Sequence, residues 1–154
     1  MTWNAIWAVL REEAKELWLM VWLVVWTVWD LRYRKICLWQ ILLVVGAGFL
    51  WQWIDGSLFT GTVWGGLLLG VTAWGFSLLT EDRFGRGEAM VILCLGLYLG
   101  FSRSLSTLLW GLLAASAVSL YLLLVRKKSV RQSIPFIPCL AAGYLLLGIT
   151  LAAG

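Results

Sequence analysis

The sequence contains no histidine, two prolines and three cysteines in 154 residues. Without histidine, and with Cys37, Cys94 and Cys139 scattered and odd in number, neither a zinc site with paired ligands nor a disulfide framework is expected. No metal and no other cofactor is called for. The N-terminus lacks a short apolar segment ending in a small-residue cleavage site and carries instead the charged stretch from Arg11 to Glu16, so no removable signal peptide is expected. Ten-residue alternating segments separated by turns are missing too, which argues against a membrane β-barrel. Glycine-rich stretches such as Gly61, Gly65, Gly66 and Gly70 follow no strand and precede no Lys-Ser/Thr pair, so they do not read as a phosphate cradle.

What is there is apolar. Hydrophobic residues make up 62% of the chain, twelve are Trp, and mean hydropathy is +0.89. A water-soluble domain of this length could not cover that much apolar surface. The apolar residues come in helix-length blocks, and an all-α integral membrane protein follows. Six spans are expected near 17–33, 36–54, 57–79, 87–103, 105–125 and 134–153, forming one domain over residues 1–154. Residues 2–15 differ: Trp3, Ile6, Trp7, Leu10 and Ala14 recur at helical spacing while Arg11, Glu12, Glu13 and Lys15 take other positions, as in a short interfacial helix lying on the bilayer. Gly46 and Gly48, and Gly66 with Gly70, would let helix backbones approach closely in lipid. Trp18, Trp22, Trp26 and Trp29 form a stripe read as lipid-facing or packing surface.

The net charge of +4 sits in short clusters between apolar runs, which argues for membrane topology and against a nucleic-acid partner. Arg32, Arg34 and Lys35 follow the first span, Arg83 and Arg86 the third, and Arg126, Lys127, Lys128 and Arg131 the fifth. Only Arg11, Lys15 and Arg103 fall opposite. The odd-numbered connections are therefore expected in the cytoplasm and both termini outside it, in a multi-pass protein of the inner (cytoplasmic) membrane.

Two acids interrupt this pattern. The run from Leu17 to Trp29 is thirteen residues and then meets Asp30; that from Ala89 to Ser102 is similarly short and is preceded by Glu88. A span needs about 20 residues, so both helices should include their acid. Parity puts Asp30 and Glu88 on one side of the membrane. Charge at such depth is costly and usually functional. Paired carboxylates can hydrolyse an amide without metal, one ionised to deprotonate water and one protonated to polarise the carbonyl. A helix C-terminus disfavours an Asp30 anion and a helix N-terminus favours one at Glu88, whereas Arg32 and Arg34 pull the other way. Singly, each acid has a plainer use: Asp30 as a partner of Arg34, Glu88 as a first-turn acid beside Arg86. Glu81 and Asp82 read as solvated loop charges near the site, and Asp55 lies on the opposite side.

In order along the chain, "WDLRYRKI", "GRGEAMVILCLGLYLG" and "IPFIPCLAAGYLL" resemble the type IV prepilin peptidase family over nearly the whole length. Asp30 and Ile36 match its first motif, with Cys37 and Leu38 in place of Pro and Asn. Gly85 and Gly87 match its Gly-x-Gly-Asp motif, with Glu88 where Asp is usual, Met90 where Lys is, and Gly96 and Gly100 at the family's spacing. Pro135, Phe136, Pro138 and Gly143 fit the closing stretch. The resemblance implies an intramembrane aspartyl-type endopeptidase that removes the leader of prepilin-like, Flp pilin-like or preflagellin-like membrane proteins at the cytoplasmic face. Asp30 and Glu88 would be catalytic, Gly85 and Gly87 would hold an open, positive-φ backbone, and Glu81 and Asp82 would meet the basic leader. No inserted cytoplasmic domain is present, so no methyltransferase activity is implied. Two other readings are a relative that binds pilin-like helices without cleaving them and a small proton- or cation-coupled transporter using the same two acids.

Overall fold

The computed structural model describes residues 3–33, 37–80, 85–126 and 136–153. Those residues form five helices and no strand: α1 Trp3–Tyr33, α2 Leu38–Ile54, α3 Gly61–Leu79, α4 Arg86–Arg126 and α5 Phe136–Ala153. The described residues are all-α, as the hydropathy pattern implies. Among the described residues two helices are long and apolar enough to cross a bilayer, Gly61–Leu79 and Arg86–Leu124; Leu38–Ile54 and Phe136–Thr150 are shorter apolar helices. The outer surface is rich in apolar side chains, among them Trp39 at 79% exposure and Leu79 at 84%.

Among the described residues five helices stand where six spans and a leading interfacial helix were expected. The stretch 2–15 was expected to lead into the first span, and from Trp3 the two form one helix, α1, 31 residues and about 46 Å long at about 1.5 Å per residue. Nothing between Trp3 and Tyr33 breaks the helix, since that stretch contains neither glycine nor proline. The second difference is in α4, where the expected fourth and fifth spans are joined. Their break falls at Gly100 and not between 103 and 105, because Gly100 adopts φ 72° and ψ −177°, a conformation open essentially to glycine alone.

The neighbours of α4 reveal what this break does. Gly66 faces Gly96 and Gly70 faces Leu93, so α3 runs antiparallel to the first segment of α4. Gly143 meets Thr107 and Gly111, and Gly111 meets Leu140, so α5 is antiparallel to the second segment. Yet α5 begins beside Glu88, at the start of the first segment. The chain therefore reverses at Gly100. A Cβ there would also lie 3.4 Å from Thr62. Gly100→Ala is expected to lower stability by about 1–3 kcal/mol, read as the thermal unfolding midpoint in detergent. Gly46→Ala, where a Cβ meets nothing within 4 Å, serves as the control.

The core lies where α1, α2, α4 and α5 meet, with Leu19, Leu23, Trp26, Val44, Leu95, Leu97, Ile137 and Leu140 almost wholly buried. The tryptophan stripe divides between the two uses foreseen for it. Trp18, Trp22 and Trp26 stack at successive centroid distances of 5.9 Å, but Trp26 is fully buried while Trp18 and Trp29 are exposed. Buried polar links hold α2 against α4: Gln52 Nε2 donates to the Leu97 carbonyl at 2.7 Å and Tyr98 Oη to the Val44 carbonyl at 2.9 Å. An unpaired polar group there would cost about 1–3 kcal/mol, so both links also fix the register of α2. Gly56, with φ 66°, ends α2 in a Schellman turn, in which Ser57 N donates to Gln52 O and Gly56 N to Trp53 O.

Candidate functional site

The two ends of the bundle have different chemistry. At one end Arg11 pairs with Asp55 at 3.4 Å, Lys15 with Glu12 at 3.2 Å, and Arg103 with Glu16. At the other, three helix termini converge: the last turns of α1, the first turn of α4 and the start of α5. Asp30 and Glu88 stand there.

Helix α1 continues past Asp30 to Tyr33, which leaves the Asp30 side chain facing the bundle at 8% exposure. Arg32, on the same turn, lies over the Tyr33 ring with its Cζ 5.7 Å from the centroid. Glu88 is held from the opposite direction. Gly85 precedes α4, and its carbonyl accepts from Glu88 N at 3.0 Å and Ala89 N at 3.2 Å. The Glu88 side chain turns back, so that a Cβ on Gly85 would lie 3.5 Å from its Cδ. Its carboxylate accepts from the backbone N–H of Gly85. The Glu88 side chain thus makes the glutamate half of a capping box, satisfying the Gly85 N–H, while the Gly85 backbone carbonyl takes the place of a cap side chain for Glu88 N.

Glu88 also accepts from the backbone N–H of Phe136, the first residue of α5. One carboxylate therefore joins the N-termini of two helices. Cys139, one turn into α5, lies within electrostatic reach of it. Asp30 is also close enough for the two acids to interact through their charges. The contact with Phe136 has no signature in the spacing of acids, because a backbone donor from a distant helix is invisible there; the only available pointer was a helix start just after Pro135.

Gly85 and Gly87 differ from expectation in conformation. Among the described residues the glycines with positive φ are Gly56 and Gly100, so the open backbone foreseen at the start of α4 is not the conformation found. Gly85 serves as a cap that lets the Glu88 chain fold back over it, and Gly87 lies within the first helical turn. Glu81, Asp82, Arg34, Lys35, Ile36 and Pro135 lie outside the described residues. An apolar groove of about 570 Å³ between α3 and α4 is also lined by Phe136, the residue whose N–H Glu88 accepts. Its walls include Leu69, Ala73, Leu108 and Leu112.

No protein-family model, curated protein or solved structure matches the chain. The site offers two carboxyl groups on different helices, close enough to affect one another, at one end of an apolar bundle and next to an apolar groove.

Proposed function

We propose that the chain is an intramembrane aspartyl-type endopeptidase of the prepilin peptidase kind, removing the leader of a pilin-like or preflagellin-like membrane protein. The observation that carries this reading is that α1 and α4 bring Asp30 and Glu88 within electrostatic reach at one end of the bundle. In this reading the two segments of α4 count as separate crossings, giving six in the inner membrane. The Asp30 end faces the cytoplasm and both termini face away from it, as the distribution of basic residues favours.

Hydrolysis needs a water between the two acids. The ionised carboxylate takes one proton from it as the oxygen attacks the scissile carbonyl carbon, and the protonated carboxyl polarises the carbonyl oxygen. Collapse of the tetrahedral intermediate breaks the C–N bond, and the departing nitrogen takes up a proton from the acid pair. The apolar segment of the substrate would lie beside the bundle, with its basic leader at the cytoplasmic surface near Glu81 and Asp82.

Incubating the protein in lipid with a prepilin-like substrate tests the reading, with release of the leader as the readout. Absence of any product from the parent chain would remove it. Glu88→Asp withdraws the carboxylate by about 1.3–1.5 Å and is expected to lower the rate about a hundredfold, since misplacement of about 1 Å is enough for that. A rise instead would show that the longer side chain hinders the reaction. The two backbone N–H groups already bound to Glu88 favour a second reading, in which the acid is structural and the bundle only holds a pilin-like helix. Cleavage by the parent chain separates the two.

A further inference from the structure

At the end opposite Asp30 and Glu88, a groove of about 560 Å³ runs between α1, α4 and α5. Along α1 it passes from Glu13 and Glu16 to Leu17 and Met20, one turn deeper into the bundle. Leu99 of α4 and Ile149 of α5 continue the apolar wall, while Arg103 and Tyr144 bring polar groups to it.

The charges at its mouth are unequal. Glu16 pairs with Arg103 and Glu12 with Lys15, whereas Glu13 has no ion pair among the described residues. Of the charged side chains lining the groove, Glu13 and Glu16 are anionic and Arg103 is cationic, leaving one net negative charge. Arg103 has donors beyond the one used by Glu16, because a guanidinium carries five N–H groups in a fixed fork. The groove thus presents an anion acceptor and an unmatched carboxylate close together, above apolar walls. A molecule that fits carries a phosphate-like anion, a hydrogen-bonding cation a few atoms away, and a hydrocarbon chain.

We propose that this groove binds a zwitterionic phospholipid with a primary-ammonium headgroup, its phosphodiester on Arg103, its ammonium on Glu13 and the upper part of an acyl chain along Leu17, Met20 and Leu99. An anionic headgroup such as phosphoglycerol would bring a phosphate without a cation to a groove that is already net negative. A quaternary ammonium would bring the charge without N–H donors for Glu13. The inference uses the embedding of the bundle in a bilayer and is independent of peptidase activity.

The test is native mass spectrometry of the full chain released from bilayers of equal phosphatidylethanolamine and phosphatidylglycerol content. Retained ethanolamine lipid is expected to exceed glycerol lipid about fivefold, the ratio corresponding to about 1 kcal/mol. Glu13→Gln, at an exposed position, is expected to remove that preference. Met20→Trp, which fills the groove, is expected to reduce retention of both lipids, with Ile149→Trp as a second filling variant should the first fail to fold. Equal retention of the two lipids by the parent would overturn the proposal. So would a preference that survives Glu13→Gln, or retention unchanged when the groove is filled.

Discussion

For the proposed peptidase, Asp30→Asn is expected to lower the rate of leader removal by about 10²–10⁴-fold, the range for losing a positioned general acid or base. The substitution changes charge and hydrogen-bonding character but hardly any volume. At 8% exposure and with α1 continuing to Tyr33, the side chain occupies a packed site that asparagine can fill. The unfolding midpoint in detergent should therefore move little, and capture of the substrate helix should persist. That combination, lost turnover with kept binding, is what a catalytic carboxylate produces. A rate unchanged by Asp30→Asn would end the idea of an acid pair, and equal loss of folding and turnover would mark Asp30 as structural. Asp30 is the member of the pair that does not carry the helix cap, so the experiment probes the pair without disturbing the start of α4.

Gly66→Ala is expected to be among the most damaging small substitutions in the bundle, lowering stability by about 3 kcal/mol. A Cβ on Gly66 would fall 2.1 Å from the Gly96 carbonyl oxygen, and one on Gly96 would fall 2.0 Å from that of Gly66. Backbone atoms are the obstacle on both sides. No side-chain rotation can relieve the clash, so the helices must move apart, and the contact of Gly70 with Leu93 lies on the same seam. Gly75→Ala, where a Cβ would meet nothing within 4 Å, is expected to gain about 0.5–1 kcal/mol from lower backbone entropy in the unfolded chain. The measurement is the unfolding midpoint of both variants in one detergent. If Gly66→Ala behaves like Gly75→Ala, α3 and α4 are not packed backbone to backbone. Small residues matter this much because lipid tails are as apolar as the helix surface, which leaves close van der Waals contact as a main source of helix association.

Several features were legible before any tertiary contact was known. The long apolar blocks, poor in proline, imply helices throughout. Gly66 and Gly70, four residues apart, read as a packing face, and they do pack on Gly96 and Leu93. Gly61 and Gly46 have the same composition signal and face open space, because periodicity identifies a face without saying whether a neighbour covers it. Residues 2–15 show the same limit of a local pattern. Their charged positions suit an interfacial helix, but a local pattern contains no instruction to stop, and α1 runs on for 31 residues.

The site divides in the same way. Sequence alone determined that the chain is helical and apolar and that Asp30 and Glu88 each sit at the margin of an apolar run, since hydrophobicity and charge are properties of residues and their order. Tertiary structure decided that Gly100 reverses the chain, that α5 therefore begins beside α4, and that Glu88 takes the N–H of Phe136 as well as that of its own cap. These follow from one backbone conformation and from contacts between residues 48 positions apart, and a contact at that separation exists only once the intervening helices have packed.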